Sequence, residues 1–184
     1  ASEFRCDLYQ STFDGKKWLM AKKLPAPINL PNVNTTQPNY GWLNDKPVLF
    51  FSSNRSGGFG SLDIWYSFLT DSGTFGNPVN AGDIVNTPDD EVSPWYNSFD
   101  SLLYFSSTYH KGLGAFDVFK TKLIGTNFGE PINLGFPINS SHNDLYYSVN
   151  NQNTKTYLAS NRTGSYFDGK QNCCSDIYKF NIDT

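Results

Sequence analysis

Two histidines far apart in the sequence, His110 and His142, and three cysteines, Cys6, Cys173 and Cys174, are the only imidazoles and thiols in this 184-residue chain. No C-x-x-C pair occurs, so a zinc site is not expected, and three thiols make no disulfide framework. A single bridge is compatible with the count, the strained vicinal pair Cys173–Cys174 included, and so are simple loop or core thiols. Cys6 falls in a different repeat from the other two, which argues against a bridge to either. Charged residues are only 17% of the chain, the net charge is −3, and no Lys/Arg cluster stands out. A protein that tracks nucleic-acid phosphates needs such a cluster, so nucleic acid is not an expected partner. No apolar run approaches the ~18 residues of a membrane-spanning helix. No stretch of about 12 residues carries a clean helical stripe, and nothing at residues 1–9 reads as a signal peptide.

What the chain does have is aromatic residues and turn formers. Phe 15 and Tyr 11 contribute to an aromatic fraction of 16%, with Gly 15 and Pro 10 as punctuation and Met only 1. Flat rings suit pleated, half-buried surfaces, and many turns mean many short strands. An all-β fold is expected.

The sequence also repeats. An x-Asp-aliphatic-aromatic pattern occurs at Cys6-Asp7-Leu8-Tyr9, Leu62-Asp63-Ile64-Trp65, Phe116-Asp117-Val118-Phe119 and Ser175-Asp176-Ile177-Tyr178, spaced by about 55 residues, a repeat-array period. A second element precedes three of these aspartates: Leu49–Arg55, Leu103–Tyr109 and Thr156–Arg162. A third is matched as Pro27-Ile28-Asn29, Pro78-Val79-Asn80 and Pro131-Ile132-Asn133. The pattern predicts strands near 48–53, 62–68, 102–107, 116–122, 156–160 and 175–181. Further strands are expected at Val92–Asn97 and Pro131–Leu134, and in the N-terminal part at Phe4–Gln10 and Trp18–Lys23. Four short antiparallel strands in about 50 residues make one blade of a β-propeller. The chain therefore divides into a partial blade (1–33), two blades (34–85 and 86–138) and a partial blade (139–184), about three and a half in all. Propellers close with four to eight blades, so further blades of a longer polypeptide, or a partner chain, are expected to complete the ring.

The run Phe51-Ser52-Ser53-Asn54-Arg55-Ser56-Gly57-Gly58, continuing to Asp63-Ile64-Trp65, resembles the TolB-like propeller repeat. It is most similar to the version in periplasmic proteins of Bacteroidetes, often upstream of an OmpA-like domain and represented among type IX secretion components. The segment from Asn161-Arg162-Thr163-Gly164 to Cys173-Cys174-Ser175-Asp176 resembles a variant blade of that family, while Thr108-Tyr109 departs from the Asn-Arg of its neighbours. The resemblance implies a periplasmic or outer-membrane-associated location and a non-catalytic interaction or scaffold role. Envelope proteins or cell-wall components would be the partners, and no cofactor is implied.

The repeated polar residues also have sharper chemical readings. Asp7, Asp63, Asp117 and Asp176 hold one equivalent position each, which spreads them instead of converging them on a substrate. A structural role, accepting N–H groups of the Gly-rich loop before the strand, fits better than acid catalysis. Arg55 and Arg162 recur two periods apart; they are expected to pair with Asp63 and Asp176 or, alternatively, to read an anion with their bidentate forks. Asp89-Asp90-Glu91 and its counterpart His142-Asn143-Asp144 could attract a hard cation but lack EF-hand spacing. Ser11–Trp18 is similar to an Asp-box with the wrong spacing and reads as a hairpin turn. Of the four N-x-[ST] sequons, at Asn34, Asn54, Asn139 and Asn161, two are the repeated Asn-Arg position, and no G-x-S-x-G is present.

In an up-and-down blade, loops 54–61, 108–115 and 161–174 share one face with 81–91 and 134–144. That face would gather Arg55, Asp89, Asp90, Tyr109, His110, His142, Tyr166 and Phe167, aromatic anchors among charges of the kind interfaces favour. Two other functions remain open: the propeller of a glycan-processing enzyme, or of a serine peptidase, with catalytic residues outside this chain.

Overall fold

Residues 5–150, 152, 154–166 and 175–182 are described by a computed structural model. Among them are fourteen strands and no helix. The N-terminal pair is β1 (Tyr9–Gln10) and β2 (Lys22–Lys23). A first sheet runs in chain order through β3 (Thr35–Leu43), β4 (Lys46–Ser53), β5 (Asp63–Phe68) and β6 (Val79–Asn80). A second contains β7 (Glu91–Asn97), β8 (Leu102–Ser107), β9 (Asp117–Ile124), β10 (Asn127–Phe128) and β11 (Ile132–Asn133), the last two both pairing with β9. The third holds β12 (Asp144–Val149), β13 (Lys155–Ser160) and β14 (Asp176–Asn181). Every pairing among these strands is antiparallel.

The expected strands at 48–53, 62–68, 102–107, 116–122, 156–160 and 175–181 lie within two residues of their observed ends. The apolar runs of the first and second sheets are continuous because those two sheets are packed on both faces, whereas β14 of the third alternates between half-buried and exposed residues. In β4, Val48 and Phe50 point into a core shared with the second sheet, with Tyr96, Leu103, Phe105 and Phe119. The alternate residues Leu49 and Phe51 join Leu8 and Ile28 of the N-terminal part. Tyr104 and Val118 meet Tyr147 and Leu158 across the next interface. Period two across a double-faced sheet gives an uninterrupted hydrophobic string.

The N-terminal strands are shorter than expected, two residues each, and the rings of this part stay wet: Tyr9 of β1 is 60% exposed, and Trp18, before β2, is 70% exposed. The tip of this hairpin is a turn, with Asp14 Oδ1 accepting the Lys16 and Lys17 N–H groups at 2.9 Å. Its counterpart tips end in Phe75, partly buried, and Phe128, which is sealed in the core.

The third repeated element needs realignment. Asn29 does not stand with Asn80 and Asn133. It stands with Asn86 and Asn139, since each of these three buried amides clasps both backbone groups of one residue in the aspartate strand. Asn29 Oδ1 accepts Leu8 N–H and its Nδ2 donates to Leu8 C=O. Asn86 does the same to Ile64, and Asn139 to Val118. Pro27 matches Pro137, each preceded by a cis bond, and not Pro78 or Pro131. Asn139 is 0% exposed, which removes that sequon as a glycan acceptor in the folded chain.

Candidate functional site

Three equivalent joints connect one sheet to the next. At each, a backbone ladder step is doubled by a side chain. Cys6 N–H donates to Asn34 Oδ1, Leu62 N–H to Asp90 Oδ1 and Phe116 N–H to Asn143 Oδ1. The following residues return the bond, Thr35, Glu91 and Asp144 N–H donating to Cys6, Leu62 and Phe116 C=O. The acidic run at 89–91 is thus largely fold chemistry. Glu91 is completely buried, accepting Thr87 N–H (2.7 Å), Thr87 Oγ1–H (2.6 Å) and Ser107 Oγ–H (2.7 Å), and burial pushes its carboxyl above the usual range. Among the described residues no group of three His, Cys, Asp or Glu side chains is placed to hold a metal.

The arginines belong to these joints and not to Asp63 and Asp176. Arg162 Nη2 donates to Ile138 C=O and to Asp144 Oδ1, both at 2.6 Å, and the Asp144 side chain is wholly buried. Arg55 takes the same pose, donating to Pro27 and Ile28 C=O and stacking over Phe51 and Trp65. Where Arg162 meets a carboxylate, Arg55 meets the Thr35 hydroxyl at 3.4 Å. Burial without an acid lowers its pKa to about 10. The expected pairing fails because the loop geometry sends the aspartates elsewhere. Asp63 accepts Phe59 and Gly60 N–H, and Asp117 accepts Leu113 and Gly114 N–H. Burial dominates at both and raises their pKa values. Asp176 accepts Tyr166 N–H. Asp7 differs, forming ion pairs with Arg5 and Lys23. The glycines of these loops are dictated by approach: a Cβ on Gly58 or Gly112 would overlap the carboxylate of Asp63 or Asp117.

The middle joint has lost its arginine, Tyr109 standing in that place, and His110 fills the role. Its Nε2 lies 3.0 Å from Val85 C=O, the counterpart of Ile28 and Ile138, so the proton sits on Nε2. The Thr108 hydroxyl accepts Asp90 N–H, as Asn54 and Asn161 do for Asn34 and Asn143.

Of the residues expected on the loop face, Arg55 is therefore buried at 6% exposure, and His110 and Asp90 are half-buried and engaged internally. Asp89 and Tyr109 are exposed, Tyr166 is 68% exposed, and His142 is half-buried, with its ring against Ser141. Phe167, Cys173 and Cys174 lie outside the described residues. The same ends of the sheets also present Phe59, Leu113 and Phe136, each more than half exposed.

A second site escaped the sequence reading. The first strands of the three sheets each carry a β-bulge, between Thr36/Asn39, Val92/Trp95 and Leu145/Ser148. The residues inside them, Gln37, Ser93 and Tyr146, adopt φ values of 52°, 54° and 56°. Such left-handed residues cost on the order of 1–3 kcal/mol each when not glycine. Together they line a groove of about 240 Å³ with Pro38, Asn39, Pro94, Trp95, Tyr147 and Ser148. Gln37 ties the strands together, its Oε1 accepting Ser93 N–H at 2.9 Å and its Nε2 donating to Tyr146 Oη at 3.0 Å. Burial pushes the Tyr147 phenol up to about 12. The signal was there: proline inside a strand marks a bulge or an edge, and Pro38 and Pro94 sit one repeat apart.

No protein-family model and no curated protein matches this sequence. Among solved structures, an α-L-arabinofuranosidase from Lactobacillus brevis is similar, with a TM-score of 0.55 at 12% identity over 89% of this chain. The chain spans 56% of the length of that structure. The likeness is one of fold alone, an all-β arrangement of antiparallel sheets.

Proposed function

We propose that the sheets are blades of a β-propeller, of which this chain supplies an arc, and that the protein is a non-catalytic interaction or scaffold module of a cell-envelope complex. The loop ends carrying Phe59, Tyr109, Leu113, Phe136 and Tyr166 form its contact surface. One observation carries this reading: the repeated polar side chains are spent on the fold, while the exposed aromatics of the loop ends are not. The buried carboxylates of Asp63, Asp117, Glu91 and Asp144 hold loop amides, hydroxyls or Arg162. Clusters of aromatics among polar groups are the usual anchors of protein interfaces. The TolB-like repeat supports a periplasmic or outer-membrane-associated setting, including type IX secretion.

A glycan-processing reading draws on the arabinofuranosidase likeness. Glycoside hydrolysis uses two carboxylates roughly 5–9.5 Å apart, and none of the groove's lining residues carries one. The test replaces Phe59, Tyr109 and Tyr166 by serine and compares partner recovery from envelope extracts with a variant altered at Asp14, Asp71 and Asn127, at the opposite ends. Loss of partners only in the first variant is expected. Loss only in the second, or hydrolysis of a glycoside or peptide by the pure protein, overturns the proposal.

A further inference from the structure

The groove where β3, β7 and β12 meet keeps polar groups that the fold does not use. Ser93 is 4% exposed, yet its Oγ has no hydrogen-bond partner. A buried hydroxyl left unpaired is a standing cost in the empty protein, and a ligand that pairs it recovers that cost. Asn39 spends its carbonyl oxygen on Tyr96 N–H, and its Nδ2 bonds to nothing among the described residues. Tyr146 accepts a bond from Gln37 and keeps its own phenolic proton to donate. Beside these donors stand the half-buried ring of Trp95 and the 54%-exposed ring of Tyr146. No charged side chain lines the space.

We infer that this groove is a binding subsite for a single neutral sugar ring. Its volume, about 240 Å³, lies below the ~300–1,000 Å³ of sites for drug-sized ligands, which limits the occupant to one ring. The aromatic faces suit the apolar C–H face of a sugar, and clustered donors suit its closely spaced hydroxyls, which accept and donate in turn. A proline-rich peptide would also fit aromatic walls, but its widely spaced carbonyls leave most of these donors unpaired. The absence of charge on the lining disfavours acidic sugars, whose carboxylate would lose water without gaining a cation. The backbone supports this use: bulges re-aim side chains and gather beside binding sites, and of the three left-handed residues at equivalent positions, Gln37 holds the other two. The inference depends neither on the loop ends nor on closure of a ring.

The experiment titrates the whole chain with D-glucose, D-galactose, D-mannose, L-arabinose and N-acetyl-D-glucosamine, read by saturation-transfer NMR and tryptophan fluorescence. At least one neutral sugar is expected to saturate, with its uronic-acid counterpart at least about fivefold weaker. Asn39→Ala and Tyr146→Ala should each weaken that sugar by about tenfold, and Tyr109→Ala should leave it unchanged. Ser93→Ala gives the sharpest signature: the melting temperature holds or rises, because an unpaired buried hydroxyl is gone, while the sugar binds about tenfold more weakly. No saturation by any of the five sugars overturns the inference. So does binding that survives all three groove substitutions, or tighter occupation of the groove by an (Ala-Pro) repeat peptide than by any sugar.

Discussion

The joint at Asp144 and the joint at Thr35 use an arginine in the same pose and differ in what stands opposite it. Arg162 and Arg55 both donate to two carbonyls of the preceding segment and both stack on aromatic rings of the next strand or its neighbour. Only Arg162 meets a carboxylate. The Glu91 joint inverts this, keeping the acid and replacing the arginine with His110. The constant feature is a donor on the carbonyl at 28, 85 or 138, so the repeated donor is first a backbone clamp and only at the Asp144 joint an ion pair.

The comparison is broken most directly by removing each cation. Arg162→Met strands the buried Asp144 carboxylate and should cost about 3–5 kcal/mol. Arg55→Met strands no acid among the described residues, keeps apolar contact with Phe51 and Trp65, and should cost about 1–3 kcal/mol for unpaired carbonyls. Urea unfolding of both variants checks this, and equal losses would show that the counter-charge is irrelevant.

Asn139→Ala and Asn86→Ala each unpair a buried N–H and C=O, of Val118 and Ile64. Each should cost about 1–3 kcal/mol, and near-equal losses would sharpen the equivalence of the two positions. The middle joint should carry a pH signature. Burial raises the folded pKa of Glu91 above its ordinary 4.5, so the folded state binds the proton more readily than the unfolded chain. The stability this group contributes is present below the ordinary carboxylate range and lost as pH rises through it toward the folded value. Asp63 and Asp117 act with the same sign. Glu91→Gln should therefore lose less stability than the parent as pH rises above the ordinary carboxylate range, measured by unfolding at a series of pH values. An identical slope would show that Glu91 does not titrate there. The smallest effect is expected at Trp18→Ser, within about 0.5 kcal/mol, since its ring is 70% exposed where Phe128 is sealed in the core.

The long strands were legible because Leu49–Ser53 and Leu102–Ser107 are apolar on both faces and the aspartate strands follow at a fixed distance. The joints were not, because their chemistry runs between repeats: nothing in the spacing of Arg162 and Asp176 reveals that the guanidinium turns back to Asp144. The placement of Asn29 beside Asn80 and Asn133 came from a three-residue likeness in which the proline matched by chance. His110 was visible only as a loop residue, since a substitution displaced by one position from Arg55 leaves no pattern. The groove was missed for a different reason: Pro38 and Pro94 marked two of its bulges, but Gln37, Ser93 and Tyr146 do not advertise a left-handed backbone by side-chain type.

The central claim is that the repeated polar residues hold the fold while the exposed aromatics of the loop ends do the binding. Its most direct test measures melting temperature and partner affinity side by side on Asp117→Ala and on the paired change Tyr109→Ser with Tyr166→Ser. The account predicts a lowered melting temperature with retained affinity for Asp117→Ala, as two loop amides lose their acceptor, and the reverse for the tyrosine pair. An Asp117→Ala protein that melts like the parent but has lost its partner would contradict it.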